Sequence, residues 1–507
     1  MKRVSASRTD RGVIAGVLAL TALVAFAALH VVLGREPMSV VDEHVHYDYA
    51  LRVHQGDVPY RGMVYSDELL QEWACGVGHE AGAPWGCGDG AVSVDTLPSG
   101  KYTSGYIHYP SYFVAADLFR RAAAGALGLE NDAITALRLS SVVALVAGMV
   151  LCLVSGLVLR LRGPALVAAA LAPVASSGTF LLGTVVNPSS LAIACGALVA
   201  ATGLWWVTRG RGFWMLVVAS VVAAVEATTA SLPGIGFGVA ATLAIWLRRR
   251  GRPAHGPWSP RVRHVVVLAV VTLLPVLVWG RVNAARATVP NGALYGAYPR
   301  GSRWDQLAGA IAELGPHLPW VAGSQDRLVG EGPLAGVATA AQSAVGSWIG
   351  IIVGVTLLLL LLGVVPARRW PRVDALVGSA SSGPAVEIDT AGAAVPADER
   401  TEQLVAGAAS QAWPERSPRA ERLRLLTNPL ALVGLGQGIV LVAFPPLLRL
   451  SNTFVFGINT GIVNRYALSL APVLVVVTLA LVRKQALAWT LAGTSAVVLG
   501  ALALGVW

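Results

Sequence analysis

Charge is what this chain has least of. Only 13% of its 507 residues are Asp, Glu, Lys or Arg, against roughly 25% in soluble domains. With 55% hydrophobic residues and a mean hydropathy of +0.63, that scarcity excludes an ordinary water-soluble fold. Acidic residues are scarcer than basic ones, 28 against 38. Cysteine is scarce too, with four in all, and only Cys75 and Cys87 share a hydrophilic segment. There is no repeat at a fixed period.

What the chain does have is long apolar runs. A bilayer-spanning helix needs about 20 apolar residues, and the sequence offers such runs at roughly 13–33, 134–159, 164–186, 188–207, 213–230, 232–247, 264–280, 345–366, 428–450, 466–482 and 486–507. The expected fold is therefore an all-α, polytopic integral membrane bundle of about 11 transmembrane helices. The net charge of +10 does not point to nucleic acid, because the basic residues cluster in short turns between apolar runs. Lys2, Arg3, Arg8 and Arg11 precede the first run. Arg160/Arg162, Arg209/Arg211, Arg248–Arg250 with Arg252, Arg368/Arg369 and Arg483/Lys484 follow at alternate turns. Under the positive-inside rule these turns face the cytoplasm, as does the N-terminus, and the C-terminus lies outside. The first run is longer than the 7–15 residues of a signal-peptide core, so it reads as a retained anchor rather than a cleaved leader.

Three hydrophilic stretches interrupt the bundle. An outer loop over 35–133 holds 14 of the 28 acidic residues, half of them in about a fifth of the length. A second outer loop covers 281–344. The segment 367–427, rich in Ala, Gly, Ser and Pro, buries too little apolar surface to fold and is expected to be a disordered cytoplasmic linker. The chain thus divides into a region 1–366, the linker 367–427 and C-terminal helices over 428–507. In the first outer loop, Trp73, Trp85 and several tyrosines predict a folded unit. Cys75 and Cys87 are expected to form a disulfide there, outside the cytoplasm. Tyr112–Arg121 has helical apolar spacing and predicts an amphipathic helix along the membrane surface. Cys152 and Cys195 lie within apolar runs and read as small buried hydrophobes.

The chemistry-bearing residues concentrate at the outer side. Asp42-Glu43-His44-Val45-His46-Tyr47-Asp48 follows the first span directly. Arg138, Asn187, Glu226 and Arg465 lie at the predicted outer ends of later spans. Ionisable residues in or beside spans are costly and are functional candidates. Each has a plainer reading. Asp42 and Glu43 would also serve as a solvated turn, Arg138 and Arg465 as snorkelling anchors, Glu226 as a structural partner of an arginine, Asn187-Pro188 as a tight turn, and His108 as a local hydrogen-bonding residue. His44, His46 and Asp48 have metal-binding chemistry, but on a helix 44 and 48 share a face that 46 does not. A metal-free site and a weak Mg²⁺ or Mn²⁺ site are both open.

Four segments carry a family resemblance: Val41-Asp42-Glu43-His44, His108-Tyr109-Pro110-Ser111-Tyr112-Phe113, Val186-Asn187-Pro188-Ser189-Ser190-Leu191 and Asn464-Arg465-Tyr466-Ala467-Leu468. In that order the chain resembles the GT-C superfamily, the polytopic glycosyltransferases that use polyprenyl-phosphate sugars at the outer membrane face. Within it, the chain is similar to a bacterial family of predicted membrane proteins. Tyr109 and Asn464 depart from that family's usual proline and glycine. The resemblance implies a polyprenyl-phosphate sugar donor, possibly decaprenyl, and an envelope glycan or glycolipid acceptor. It also implies a site facing the outside of a bacterial plasma membrane, among membrane lipids. Asp42 is expected as the base and Glu43 as its alternate. Arg465, with Arg138, is expected on the donor phosphate, since guanidinium forks match phosphate oxygens. His44, His46, Asp48, His108, Tyr109, Asn187, Glu226 and Tyr466 are expected to line the substrate site. Two other classes share the polytopic pattern: a transporter or flippase of a lipid-linked saccharide, and a non-catalytic envelope assembly protein.

Overall fold

The computed structural model describes residues 8–34, 38–39, 42–75, 97, 100–226, 228–254, 256–290, 302–312, 427–456, 464–482 and 484–505. Among them the fold is all-helical; one isolated bridge pairs Val64 with Tyr102. Among the described residues, six helices are long and apolar enough to cross a membrane: Arg11–Leu33, Ala133–Val158, Pro188–Arg209, Val262–Arg286, Pro429–Leu450 and Gln485–Ala503. Shorter apolar helices cover Pro164–Val174, Phe213–Glu226 and Tyr466–Val482. The expected span over 345–366 and, apart from Thr427, the linker over 367–427 lie outside the described residues.

The elements run in order. Helix α1 (Arg8–Leu33) leads to α2 (Glu43–His54), α3 (Asp67–Cys75) and α4 (Pro110–Leu127), which lie in the first hydrophilic loop. The bundle continues with α5 (Ala133–Val158), α6 (Pro164–Leu171), α7 (Ser177–Leu182), α8 (Ala192–Arg209), α9 (Phe213–Glu226), α10 (Leu232–Arg249) and α11 (Val262–Arg286). Helix α12 (Arg303–Ala312) precedes α13 (Pro429–Phe456), α14 (Ala471–Val482) and α15 (Gln485–Gly505). Helix α8 is central: 83% of its apolar window is buried, against 11% for α11 at the periphery. The two serve different solvents, since a helix apolar on every side belongs in a core or in lipid. Where α10 crosses α13, Gly236 and Gly436 lie backbone to backbone, and a Cβ on either would meet Gln437 or the Gly236 carbonyl. Small residues at a crossing are how membrane helices approach closely.

The continuous span expected over 164–186 is broken. Helix α6 ends at Leu171, Ala172–Val174 tightens into a 3-10 turn, and α7 restarts at Ser177. Pro173 supplies no backbone N–H and cannot continue an α-helical ladder. Ser176 then caps α7, its Oγ accepting from Thr179 N at 3.1 Å. Periodicity cannot see this break because both halves are equally apolar. The same holds for the span expected over 466–482, which starts as a 3-10 helix over Asn464–Leu470 and becomes α-helical only at Ala471. The broken segments are neighbours: α14 packs on α6 and its 3-10 turn, and α7 on the 3-10 helix at Asn464.

A second, smaller core lies in the first loop. Val45, Tyr47, Tyr49, Leu69, Trp73, Tyr112 and Phe113 pack together with Ile134 and Leu137 from the start of α5. The loop is thus folded where described, and it rests on the bundle. Helix α4 shows the expected two faces: Phe113, Ala116 and Asp117 are buried, while Val114 and Leu118 are exposed. Asp117 clamps α4. It accepts from Arg120 and Arg121 and lies 3.2 Å from His54 of α2. Burial alone would raise the Asp117 carboxyl, but the hydrogen bonds and charges of Arg120 and Arg121, with His54, hold it below the usual carboxylate range. Further stitches run to α11: Trp279 Nε1 and Asn283 Nδ2 donate to the Tyr106 carbonyl, Arg286 donates to Val58 O, and Arg61 to Val289 O. The loop and the C-terminal end of α11 therefore share one end of the bundle.

Candidate active site at the mouth of the bundle

Asp42 and Glu43 are adjacent in sequence and opposite in circumstance. Glu43 opens α2 and is fully buried. Its carboxylate takes Arg138 Nε on Oε1 at 2.8 Å and Arg138 Nη2 on Oε2 at 2.9 Å. Ser39 N donates to Oε2 at 2.7 Å and Val186 N to Oε1 at 3.0 Å. Four donors from three chain segments thus converge on one carboxylate. A buried ion pair is tolerable only with such full satisfaction, because desolvation otherwise exceeds the Coulombic gain. The bidentate fork also fixes geometry. Glu43, expected as the alternate base, and Arg138, expected on the donor phosphate, are placed against each other in a pair that joins α2, α5 and the turn before Pro188.

Asp42 precedes that pair in the left-handed backbone region, φ 60° and ψ 10°. Asp is among the few non-glycine residues that visit this region with any frequency. Its backbone carbonyl accepts from His46 N at 3.1 Å, but its side chain does not cap α2. The residue as a whole remains partly exposed. Local strain of this kind persists where the surroundings fix it, and here Glu43 is immobilised one residue later.

The histidines and Asp48 belong to α2. His44 is buried against Tyr65 and Trp73, with ring centroids at 6.0 and 5.7 Å. Burial lowers its pKa to about 4, against the raising influence of Asp42 and Glu43, so the ring is neutral near pH 7. His46 packs edge-on to His108 at 4.8 Å and stacks on Phe113 at 5.9 Å. Asp48 is fully buried and accepts from Arg52 Nε at 2.9 Å, Ser66 N at 2.9 Å and Ser66 Oγ at 2.5 Å. It ties α2 to the start of α3. His108 offers its carbonyl to the Tyr49 hydroxyl at 3.2 Å. Tyr109 occupies the N-cap position of α4 without a side-chain cap, and its ring lies 5.7 Å from Trp279. Because α2 is helical throughout, His44, His46 and Asp48 do not converge; among the described residues no three His, Cys, Asp or Glu side chains form a metal-binding group.

Deeper residues surround the start of α4. Asn187 is buried, its Oδ1 accepting from Ser189 N at 2.9 Å, while Nδ2 has no partner among the described residues. Glu226 ends α9, and its Oε2 likewise is buried with no partner among the described residues. The Ser111 hydroxyl donates to the Val225 carbonyl, which brings the start of α4 beside Glu226. The Tyr112 hydroxyl lies 3.5 Å from Ser141 Oγ, which donates to Val185 O at 2.7 Å. Tyr466 is partly buried in the 3-10 helix Asn464–Leu470. The backbone of Arg465 belongs to the same turn, and its side chain lies outside the described residues. Cys75 is disulfide-bonded, Cys87 lies outside the described residues, and Cys152 and Cys195 are free and buried.

Sequence reasoning missed several members of this framework. Ser39 N, Val186 N and Ser66 act through backbone or hydroxyl groups that carry no motif. Trp279 and Asn283 meet Tyr106 from more than 170 residues away. Two pairs did have a local signal: Asp48–Arg52 and Asp117–Arg121 are i,i+4 pairs, the spacing at which helical side chains meet.

This is the architecture of a helical membrane protein with a folded loop seated on one end of the bundle. No protein-family model, curated protein or solved structure matches the chain.

Proposed function

We propose that the chain is a GT-C-type membrane glycosyltransferase. It moves a sugar from a polyprenyl-phosphate donor to an envelope glycan or glycolipid on the outer face of a bacterial plasma membrane. The supporting observation is the pairing of a partly exposed Asp42, in left-handed backbone, with a buried and fully hydrogen-bonded Glu43 next to it. One carboxylate is a fixed anchor, and the residue beside it keeps partial exposure.

In this reading Asp42 takes the proton from the acceptor hydroxyl as that oxygen attacks the anomeric carbon. The new glycosidic bond forms as the bond from the anomeric carbon to the phosphate oxygen breaks. The lipid phosphate leaves with that electron pair, and Arg465 stabilises its charge. The half-buried Tyr60 and Tyr102 of the loop supply surfaces for sugar rings, while His44 and Tyr109 act from within the packed wall behind them. The topology in this reading has a cytoplasmic N-terminus and about 11 spans. The joining of the first loop to the end of α11 supports it, because an even number of crossings then separates two segments at one end.

Transfer by the purified protein in nanodiscs tests the reading, with a panel of polyprenyl-phosphate sugars and envelope glycan acceptors. Asp42→Asn is expected to lower turnover by about 10²–10⁴-fold, the usual value of a general base, with thermal stability unchanged. Full activity in the variant would move the base elsewhere; no transfer by wild type from any donor would sink the enzyme class. EDTA treatment, followed by Mg²⁺ or Mn²⁺, reads any metal requirement.

One observation favours a second reading. The adjacent broken segments at Ala172–Val174 and Asn464–Leu470 are of the kind that transporters use at substrate sites. A flippase of a lipid-linked saccharide would move its substrate across a proteoliposome membrane without cleaving it, and the two products separate by mass.

A further inference from the structure

We infer that a basic cleft at the other end of the bundle binds the phosphate of an anionic phospholipid. Two turns build it, one between α5 and α6 and one between α14 and α15. The cleft has a volume of about 340 Å³ and is lined by Arg160, Arg162 and Lys484 together with apolar residues such as Leu159, Leu479 and Leu487. Arg160 lies roughly 30 Å along α5 from Arg138, so the cleft is remote from Asp42.

Its lining is divided as a lipid is divided. Cationic groups stand at the exposed rim, and leucines and alanines line the rest. Among the described residues no carboxylate lines it. Arg160 and Lys484 have no carboxylate partner among the described residues, and Arg160 and Arg211 both stand within electrostatic reach of Arg209. The first turn of α15 also borders the cleft, and helix N-termini favour phosphate. The volume is near the small end of ligand pockets, roughly 300–1,000 Å³. It takes a headgroup while the chains remain in the bilayer. Basic pockets between transmembrane helices recognise anionic headgroups in this way.

The backbone of Arg160 is an independent observation. Helix α5 ends in a Schellman turn: Arg160 N donates to Leu157 O at 2.9 Å and Leu161 N to Gly156 O at 3.0 Å. The residue after such a helix end takes positive φ and is usually glycine. Helices α4 and α8 follow that usage with Gly128 and Gly210, at φ 69° and 68°. Helix α5 instead holds an arginine at φ 55°. A β-carbon is unfavourable there, and the position gains a guanidinium at the cleft rim in exchange.

The inference is independent of the reaction proposed above. It is tested with the full chain in phosphatidylcholine nanodiscs containing graded phosphatidylglycerol, with lipid retention read by native mass spectrometry after extraction. Wild type is expected to retain phosphatidylglycerol over phosphatidylcholine. Arg160→Gly is expected to weaken that retention about tenfold, the loss of one charge-assisted contact, while its Tm in lipid-free detergent is unchanged or higher. Lys484→Gln is expected to weaken retention without altering the turn at Arg160. Arg249→Gln, at a different basic turn, is expected to change nothing. Equal retention of both lipids by wild type would overturn the inference, as would equal losses in the Arg249 variant. A Tm rise with inorganic phosphate alone that matches the rise with phosphatidylglycerol would replace the lipid with a small free anion.

Discussion

Helix α5 carries an arginine near each end, and the two are treated in opposite ways. Arg138 is buried at 1% exposure and gripped by Glu43 through two hydrogen bonds. Arg160 is exposed, has no carboxylate partner among the described residues and borders a cleft. The same side chain thus serves as an internal strut at one end and as an open cation at the other. The difference is set by what surrounds it. Burial demands a partner for every charged group, whereas exposure lets solvent hold the charge until a ligand arrives.

Breaking the buried pair is the largest test of this contrast. Arg138→Met leaves Glu43 buried without its cation and is expected to cost about 3–5 kcal/mol, read by thermal or chemical unfolding in detergent. Arg160→Gln is expected to change stability by less than about 0.5 kcal/mol, as surface substitutions do. Similar losses at both ends would erase the distinction.

The next effect is a pH dependence at the buried end. His44 has a folded pKa of about 4, against about 6.5 in the unfolded chain. Between those values the unfolded state binds the extra proton, so stability rises with pH there. It is fully present above about pH 6.5 and is lost as pH falls toward 4, by about 3 kcal/mol at most. A Tm series from pH 7 to 4 is expected to fall more steeply for wild type than for His44→Gln. Parallel curves would assign the acid sensitivity to other groups.

A smaller cost is expected at Asp48. Replacing it with asparagine removes the charge that holds Arg52 and weakens the tie to Ser66, a loss of about 2 kcal/mol. Hydrogen exchange on α2 and α3 is expected to rise locally, with α8 unaffected. Uniform exchange across the bundle would mean that the loop and the bundle unfold as one unit.

The sequence made some of this legible and hid the rest for identifiable reasons. Apolar runs located α1, α5, α8, α11, α13 and α15, because length and hydropathy decide such helices. Asp42 and Glu43 stood out as acids in an acid-poor chain. Their division of labour did not, because Glu43 meets Arg138 across 95 residues and Val186 across 143, and no local pattern encodes such contacts. The breaks near Pro173 and before Ala471 were also hidden, since hydropathy does not register a change of hydrogen-bond ladder. The left-handed turn at Arg160 ran against expectation, since glycine is the usual signal for it and arginine is not.

The ties between the first loop and α11 have a consequence in time. Val58 and Arg61 find Arg286 and Val289 only 228 residues later in the chain. At about 5–20 residues per second of synthesis, the segment around Val58 waits roughly 10–45 s before its last partners exist. During that interval the growing chain carries the Asp42 mouth without its final fastening, and closure of the loop coincides with the arrival of α11.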